Sequence, residues 1–569
     1  MGESRHFPQG SARLLAFAAG LLVAGLGAQT PPPQGVLAYL NSAAVSSFDA
    51  RHDTTATRLN PARDLYLITA ADGRTDRQLL NELETDPAAG HPELNGTLPL
   101  AGPHSRLDAF QSTASVLNGG QSTASVLNST QSLGLASGRI LNLKLGLPGS
   151  QSSLSSAAAA LLRSRPHLYY GSLVPARYTA QPMVEQIEAD RSAHSVATGR
   201  GVVVALIDNG LDPSNPVLAQ SWAGEKGWNF YDNSADWSAY ADLADGPSGR
   251  GSQIDLGTVA SLDGGVSGSS PSAGTCAVEF GGNGSHLDQS TASVLNGGQS
   301  TASVLNGGQS TASVLNGANT QTQALAAVNA LLACDPDFGH GTSVAGLIHL
   351  VAPNAKILPI KAFGPGGTAT VAAIYQSITY AIDQHVQVIN MSFSAAATTP
   401  AVAAAIQEAV NDGIVVVAAA GNAATDAAVF PASLPGVIGA GAADGAQAQF
   451  PLASFSNFDP GPGQFVDAAV GAPGVDLFTT YPGGGQIWAT VSGTSFSAPL
   501  VAGEAALLEQ LGVTGAANAG AITHSANPAI AGDARGQLGY GLINLDQALA
   551  AAGPAPVERS REGHHHRGH

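Results

Sequence analysis

The sequence predicts an α/β fold: a parallel, doubly wound sheet flanked by helices, preceded by a small α+β domain. Three observations predict it. Several short runs are apolar from end to end and rich in β-branched residues, as in strands buried on both faces; GVVVALID (201–208) is the clearest. Ala-rich stretches of helical length lie between these runs, so strand and helix alternate. The strand runs end in polar or glycine-bearing turns, and in such sheets sites form beyond the carboxyl ends of the strands.

The elements follow in order. Residues 36–40 and 64–71 read as strands of the small domain, 35–100. SAAVSSFDARH and DRQLLNELETDPAAGHPELNG carry its helices, the second ending in a turn and a last strand. From Met183 the character changes, and MVEQIEADRSAHSVATG reads as one helix. Buried strands are expected at 201–208, 355–363, 386–393, 413–420 and 436–442. Helices are expected at 342–352, 368–385 and 400–413. The main domain is thus 183–553, with a low-complexity, Gly/Ser-rich insertion at 235–333. Residues 101–182 read as a flexible linker and 554–569, ending in HHHRGH, as a disordered tail. The unit QSTASVLNGG starts at Gln111 and, with a changed end, at Gln121; it returns at Gln289, Gln299 and Gln309. Such identity in two distant places points to sequence duplication, and no chemistry is expected of it.

Composition bounds the partners. Of 569 residues, 44% are apolar and 11% charged, and the net charge is −18, which argues against nucleic acid or an anionic membrane. Residues 1–28 read as a signal peptide: Arg5, His6 and Arg13 precede an apolar run at 14–28 that is short for a membrane span and closes in small residues. The expected mature protein is secreted, monomeric and without a membrane span. Cys276 and Cys334 are then free to form a disulfide stapling the insertion to the core, two unpaired thiols being the alternative.

Four polar residues stand at element ends, expected on one rim of the sheet. Asp208 ends a strand and is followed by Asn209 and Gly210. His340 opens a helix between Gly339 and Gly341. Asn422 follows the strand at 413–420. Ser495 lies in a Gly-Thr-Ser turn that enters a helix, with Pro499 near the helix start, where its missing N–H matters least. Singly, each is an ordinary turn or cap residue. Jointly they supply a nucleophile, a base, an acid that orients the base, and a donor for an oxyanion.

The order Asp, His, Asn, Ser, with the strings ALIDNG, GHGTSVAG, AAAGN and GTSFSAP, resembles the subtilisin-like serine proteases over roughly residues 185–553. The resemblance implies Asp208 as orienting acid, His340 as general base, Ser495 as nucleophile and Asn422 as oxyanion donor. It implies a serine endopeptidase that acts on proteins or peptides through an acyl-enzyme and requires no cofactor. Ser392, Phe393 and Ser394, with Ala419, Ala420 and Gly421, would bind substrate beside the scissile bond. VFPASLPGVIGAGA (429–442) and VGAPG (470–474) match later strands of the family. The small domain resembles the family's inhibitory propeptide, which implies a zymogen cut within 101–185. Some positions depart from the family pattern: Asn209 stands where Ser or Thr is common, Ser343 where His is common, and Ser394 where glycine is common. The calcium loop many members carry after the histidine is missing; calcium elsewhere stays open, but no ligand set is identifiable. The rival expectation is an interaction protein of peptidase fold that cuts only itself, with the repeats and insertion binding a partner. An α/β-hydrolase esterase fails on chain order, since its serine precedes the acid and histidine.

Overall fold

The computed structural model describes residues 35–99, 167–241 and 337–553, apart from 190, 225, 240, 365–366, 396–398, 427–428, 446–450, 459–467, 483–487 and 529–536. The signal-like segment, the repeats, both cysteines and the carboxyl tail lie outside the described residues.

The small domain opens with β1 (Val36–Tyr39), α1 (Val45–His52), β2 (Thr54–Asn60) and β3 (Arg63–Ala70), followed by α2 (Asp76–Leu83), β4 (Gly90–Leu94) and β5 (Thr97–Pro99). Four of these strands form an antiparallel sheet in the order β2-β3-β1-β4. Strand alternation divides its side chains. Val36, Ala38, Tyr66 and Ile68 pack with Phe48, Leu79, Leu80 and Leu83 of the two helices. Leu37 and Leu65 face the opposite way and enter a core of the main domain. Strand β2 escapes sequence reading because it is half exposed and mostly polar. Thr75 and Gln78 form a reciprocal capping box that starts α2.

The main domain begins earlier than 183. A hairpin of β6 (His167–Tyr169) and β7 (Ser172–Val174) leads into α3 (Ala176–Thr179), and Val174 and Tyr178 are fully buried in the main core. The helix expected from Met183 is two short ones, α4 (Pro182–Gln186) and α5 (Arg191–Val196), parted where Glu188 takes a positive φ of 57°. Then follow β8 (Val203–Asp208), β9 (Trp228–Asn229), α6 (His340–Val351), β10 (Lys356–Lys361), β11 (Thr368–Thr370) and α7 (Val371–Asp383). Next come β12 (Val388–Met391), α8 (Pro400–Asn411), β13 (Val415–Ala419), β14 (Val437–Ala443) and β15 (Ala468–Pro473). The described residues end with β16 (Leu477–Thr480), β17 (Trp488–Val491), α9 (Thr494–Gln510), α10 (Gly515–Ser525) and α11 (Leu545–Ala552).

Seven strands form one parallel sheet in the order β15-β14-β13-β12-β8-β10-β9. Both faces are covered, which is why its strands read as unbroken apolar runs. Val204, Leu206, Val415 and Val417 face one core with α6 and α9; Ala205, Ile207, Val416 and Ala418 face another with α7 and α8. Two expectations shift at their edges. Residues 368–370 are not helical: they pair antiparallel with β5, and Thr370 caps α7 by accepting the Ala373 N–H. The stretch read as insertion from 235 begins inside packed structure, where Trp237 O and the Ala239 N–H bond Leu211.

Candidate active site

The sheet order brings the site residues to the carboxyl ends of neighbouring strands. After β8 the chain pairs β10 on one side and β12 on the other, so Asp208 ends the strand at a switch point. Asn422 follows β13, Ser392 follows β12, and α9 begins at Thr494.

Asp208 and His340 are sealed from solvent and bonded to each other. His340 Nδ1 lies 2.8 Å from Asp208 Oδ1, and both side chains are 0% exposed. A carboxylate oxygen can only accept, so Nδ1 carries the proton and Nε2 is the basic nitrogen. Asp208 Oδ1 also accepts the Asn209 N–H at 2.8 Å. Its Oδ2 is buried with no hydrogen-bond partner among the described residues.

Glycines make this approach possible. Gly339 enters α6 with φ 84°, and a Cβ there would come within 2.6 Å of the Tyr481 ring. A Cβ on Gly341 would lie 2.4 Å from Gly210 O and 3.1 Å from Asp208 Oδ1. Asn209 ties the two elements together: its Oδ1 accepts the Gly341 N–H at 3.1 Å, and its Nδ2 donates to Asp337 O.

Ser495 occupies the first turn of α9, where backbone N–H groups and the helix dipole favour negative charge. Its Oγ donates to Ser392 O at 3.0 Å, and Ser392 Oγ donates to Ser495 O at 2.8 Å. A hydroxyl has one proton to give, so in this rotamer it goes to Ser392 and not to His340. The next residue, Phe496, packs its ring 5.2 Å from that of His340.

Thr494 fixes Asn422. The Thr494 N–H and its Oγ1 both reach Asn422 Oδ1 at 2.9 Å, and Oγ1 accepts the Gly421 N–H at 3.0 Å. An N–H must meet an oxygen, so the amide orientation is determined and Nδ2 occupies the other side. In the sequence Thr494 is part of a turn and Asn209 a departure from a pattern. The only signal for either was its neighbour, Ser495 or Asp208.

The six expected substrate-contact residues sit at the ends of adjacent strands β12 and β13, but not all present a side chain. Phe393 packs 5.0 Å from Phe363 in the core, and Ala419 is also buried, leaving backbone alone for contact. Ser392 is fully buried beneath Ser495. Ser394 and Gly421 face each other: a Cβ on Gly421 would lie 3.4 Å from Ser394 Oγ. Ala420 is partly exposed.

The helices that carry the site hold two further buried titratable groups. His349 on α6 is bonded to Ser221, and burial lowers its pKa to about 4. Glu504 on α9 has no hydrogen-bond partner for either carboxyl oxygen among the described residues, and burial raises its pKa to about 8. Among the described residues no group of three or more His, Cys, Asp or Glu is arranged to hold a metal. No described helix is long and apolar enough to cross a membrane.

A parallel α/β sheet with an aspartate at the switch point, a histidine bonded to it and a serine opening the following core helix defines a class of proteins in which these residues occur in the order Asp, His, Ser. Residues 199–541 match the model of the subtilase family, and the chain belongs to that family. It is 41% identical over 184 residues to a thermophilic serine proteinase of Bacillus sp. (strain AK1), covering 30% of this chain and 43% of that protein. It is 32% identical over 219 residues to Subtilisin Savinase of Lederbergia lenta, covering 37% and 77% of the two chains. Its fold is similar to that of fervidolysin from Fervidobacterium pennivorans, described as a keratinolytic enzyme related to subtilisin. The TM-score is 0.54 and the identity 19%, over 92% of this chain and 62% of that one. The match spans about half the length of some curated relatives, 43% of the AK1 proteinase and 54% of an alkaline protease of Alkalihalobacillus alcalophilus.

Proposed function

We propose that this chain is a secreted serine endopeptidase, made as a zymogen, in which Asp208, His340 and Ser495 form the catalytic triad. The observation that carries the proposal is the sealed 2.8 Å bond between His340 Nδ1 and Asp208 Oδ1, with Ser495 in the first turn of α9 beside Phe496, whose ring packs on His340. Ser495 Oγ turns from Ser392 O towards His340 Nε2, gives up its proton and attacks the scissile carbonyl carbon. Asp208 holds the tautomer and stabilises the imidazolium. The oxyanion is met by Asn422 Nδ2 and the Ser495 N–H. His340 then protonates the leaving amine, and water releases the acyl group by the reverse steps.

The zymogen reading is supported by the seat of the small domain on α7 and α8. Arg63 bonds Asp383 at 3.0 Å and Glu408 at 2.6 Å. Asn95 Oδ1 accepts the Ala372 N–H and Glu93 Oε1 the Ala401 N–H, each in the first turn of its helix. Strand β5 pairs antiparallel with β11, so the end of the small domain adds a strand to the main domain. The test is secretion of wild type and Ser495→Ala, followed by hydrolysis of casein. Wild type cut within 101–185 and active, beside an uncut and inactive variant, is expected. An active Ser495→Ala protein contradicts the proposal.

A further inference from the structure

Lys361 lies inside the strand expected at 355–363, and nothing in the sequence gives it a role. In the fold it is fully buried, a rare state for a lysine because taking an ammonium out of water is costly. Lys361 closes β10 directly opposite Asp208 in the parallel register. Its Nζ donates to Asn209 O, on the turn after β8, and to Phe363 O at 2.9 Å, on the turn after β10. The Ala362 and Phe363 N–H groups both donate to Asp208 O, at 2.9 and 3.3 Å.

Asn209 thereby uses all four of its polar groups. Its N–H holds the Asp208 carboxylate, its Oδ1 holds Gly341, its Nδ2 holds Asp337 O, and its carbonyl is held by Lys361. Three of these bonds set the direction of Asp208 against the start of α6, where His340 sits. The fourth comes from a charged donor, and hydrogen bonds to charged groups are the stronger kind.

We propose that Lys361 is a positioning residue for the Asp208–His340 pair. Its ammonium pins the Asn209 carbonyl and so keeps the Asp208 carboxylate aimed at Nδ1. The catalytic consequence rests on the endopeptidase reading; the positioning itself does not. Residue 360 supplies the control: Ile360 is equally buried, on the same strand, but its side chain lies in the core shared with α7 and α8.

Lys361→Met keeps the stem and removes the donor. In the full-length chain, two measurements decide the matter: kcat and KM on a peptide substrate, and the far-downfield proton resonance of the Nδ1–H···Oδ1 bond. Lys361→Met is expected to lower kcat at least tenfold with KM within about twofold, and to shift or broaden that resonance. Ile360→Ala is expected to lower the melting temperature and leave the resonance in place. A Lys361→Met protein with wild-type kcat and an unchanged resonance overturns the proposal. So does failure of both Lys361→Met and Lys361→Gln to fold, which would make the residue structural only. If wild type hydrolyses no peptide, the endopeptidase reading falls, and the resonance still tests Lys361.

Discussion

Thr494 holds Asn422 by two hydrogen bonds to one oxygen, each 2.9 Å, and so decides which face of the amide carries the donor. Thr494→Val removes the hydroxyl and leaves the shape. The amide then keeps only the backbone bond, and the Gly421 N–H loses its acceptor. The expected result is a fall in kcat of about tenfold with KM little changed, since the lost order matters in the transition state. Asn422→Ala removes the donor itself and is expected to cost about two to three powers of ten, the scale known for the asparagine of subtilisin. Steady-state kinetics on one peptide substrate checks both, and equal losses would contradict the indirect role of Thr494.

Asp208→Asn replaces an acceptor by an amide that can offer its NH₂ to Nδ1. The imidazole would then be held in the wrong tautomer, with its proton on Nε2. A loss in kcat of about four powers of ten is expected, as for the same change in triad proteases. The far-ultraviolet circular dichroism should be unchanged, because the side chain is of the same size.

Gly341→Ala tests how closely α6 must approach Asp208. The added methyl would meet Gly210 O at 2.4 Å, so the helix or the aspartate turn must move. Activity is expected to fall at least a hundredfold, with a modest drop in melting temperature. Retention of half the wild-type activity would show that the approach is not needed.

Glu504 makes stability depend on pH. Its pKa is about 8 in the fold, against about 4.5 when unfolded. Between those values the native state holds a proton that the unfolded chain releases. Stability from this group therefore falls as pH rises from about 4.5 to 8, by up to about 1.4 kcal/mol per pH unit. His349 acts in the opposite sense: its pKa falls from 6.5 to about 4 on burial, so stability is lost as pH drops through that range. Glu504→Leu, measured in the inactive Ser495→Ala background to prevent self-digestion, should melt higher than its parent at pH 8. It should also show a flatter pH profile above pH 5. Parallel profiles for the two proteins would count against a buried, unpaired carboxyl.

The parts legible in sequence were those where one force dominates. Strand β8 is covered on both faces, and its apolar run says so; Asp208 stands at the end of that strand, and His340 and Ser495 stand in the first turns of helices. The hidden parts depended on tertiary partners. Strand β2 is polar because one side faces water, and Thr368–Thr370 is a strand because β5 lies beside it. Trp237 packs against the core because its carbonyl and the Ala239 N–H bond Leu211, although the low-complexity composition begins nearby. Lys361 stands within an expected strand, 355–363, and only the fold brings the Asn209 carbonyl to its ammonium.

The central claim is that Ser495 is a nucleophile made reactive by His340. Reaction with a fluorophosphonate, followed by proteolytic mapping in a mass spectrometer, tests it most directly. Wild type should carry a single label on Ser495, and His340→Ala should label far more slowly at the same residue. A folded, processed wild-type protein that takes no label, or takes it on another serine, would contradict the claim.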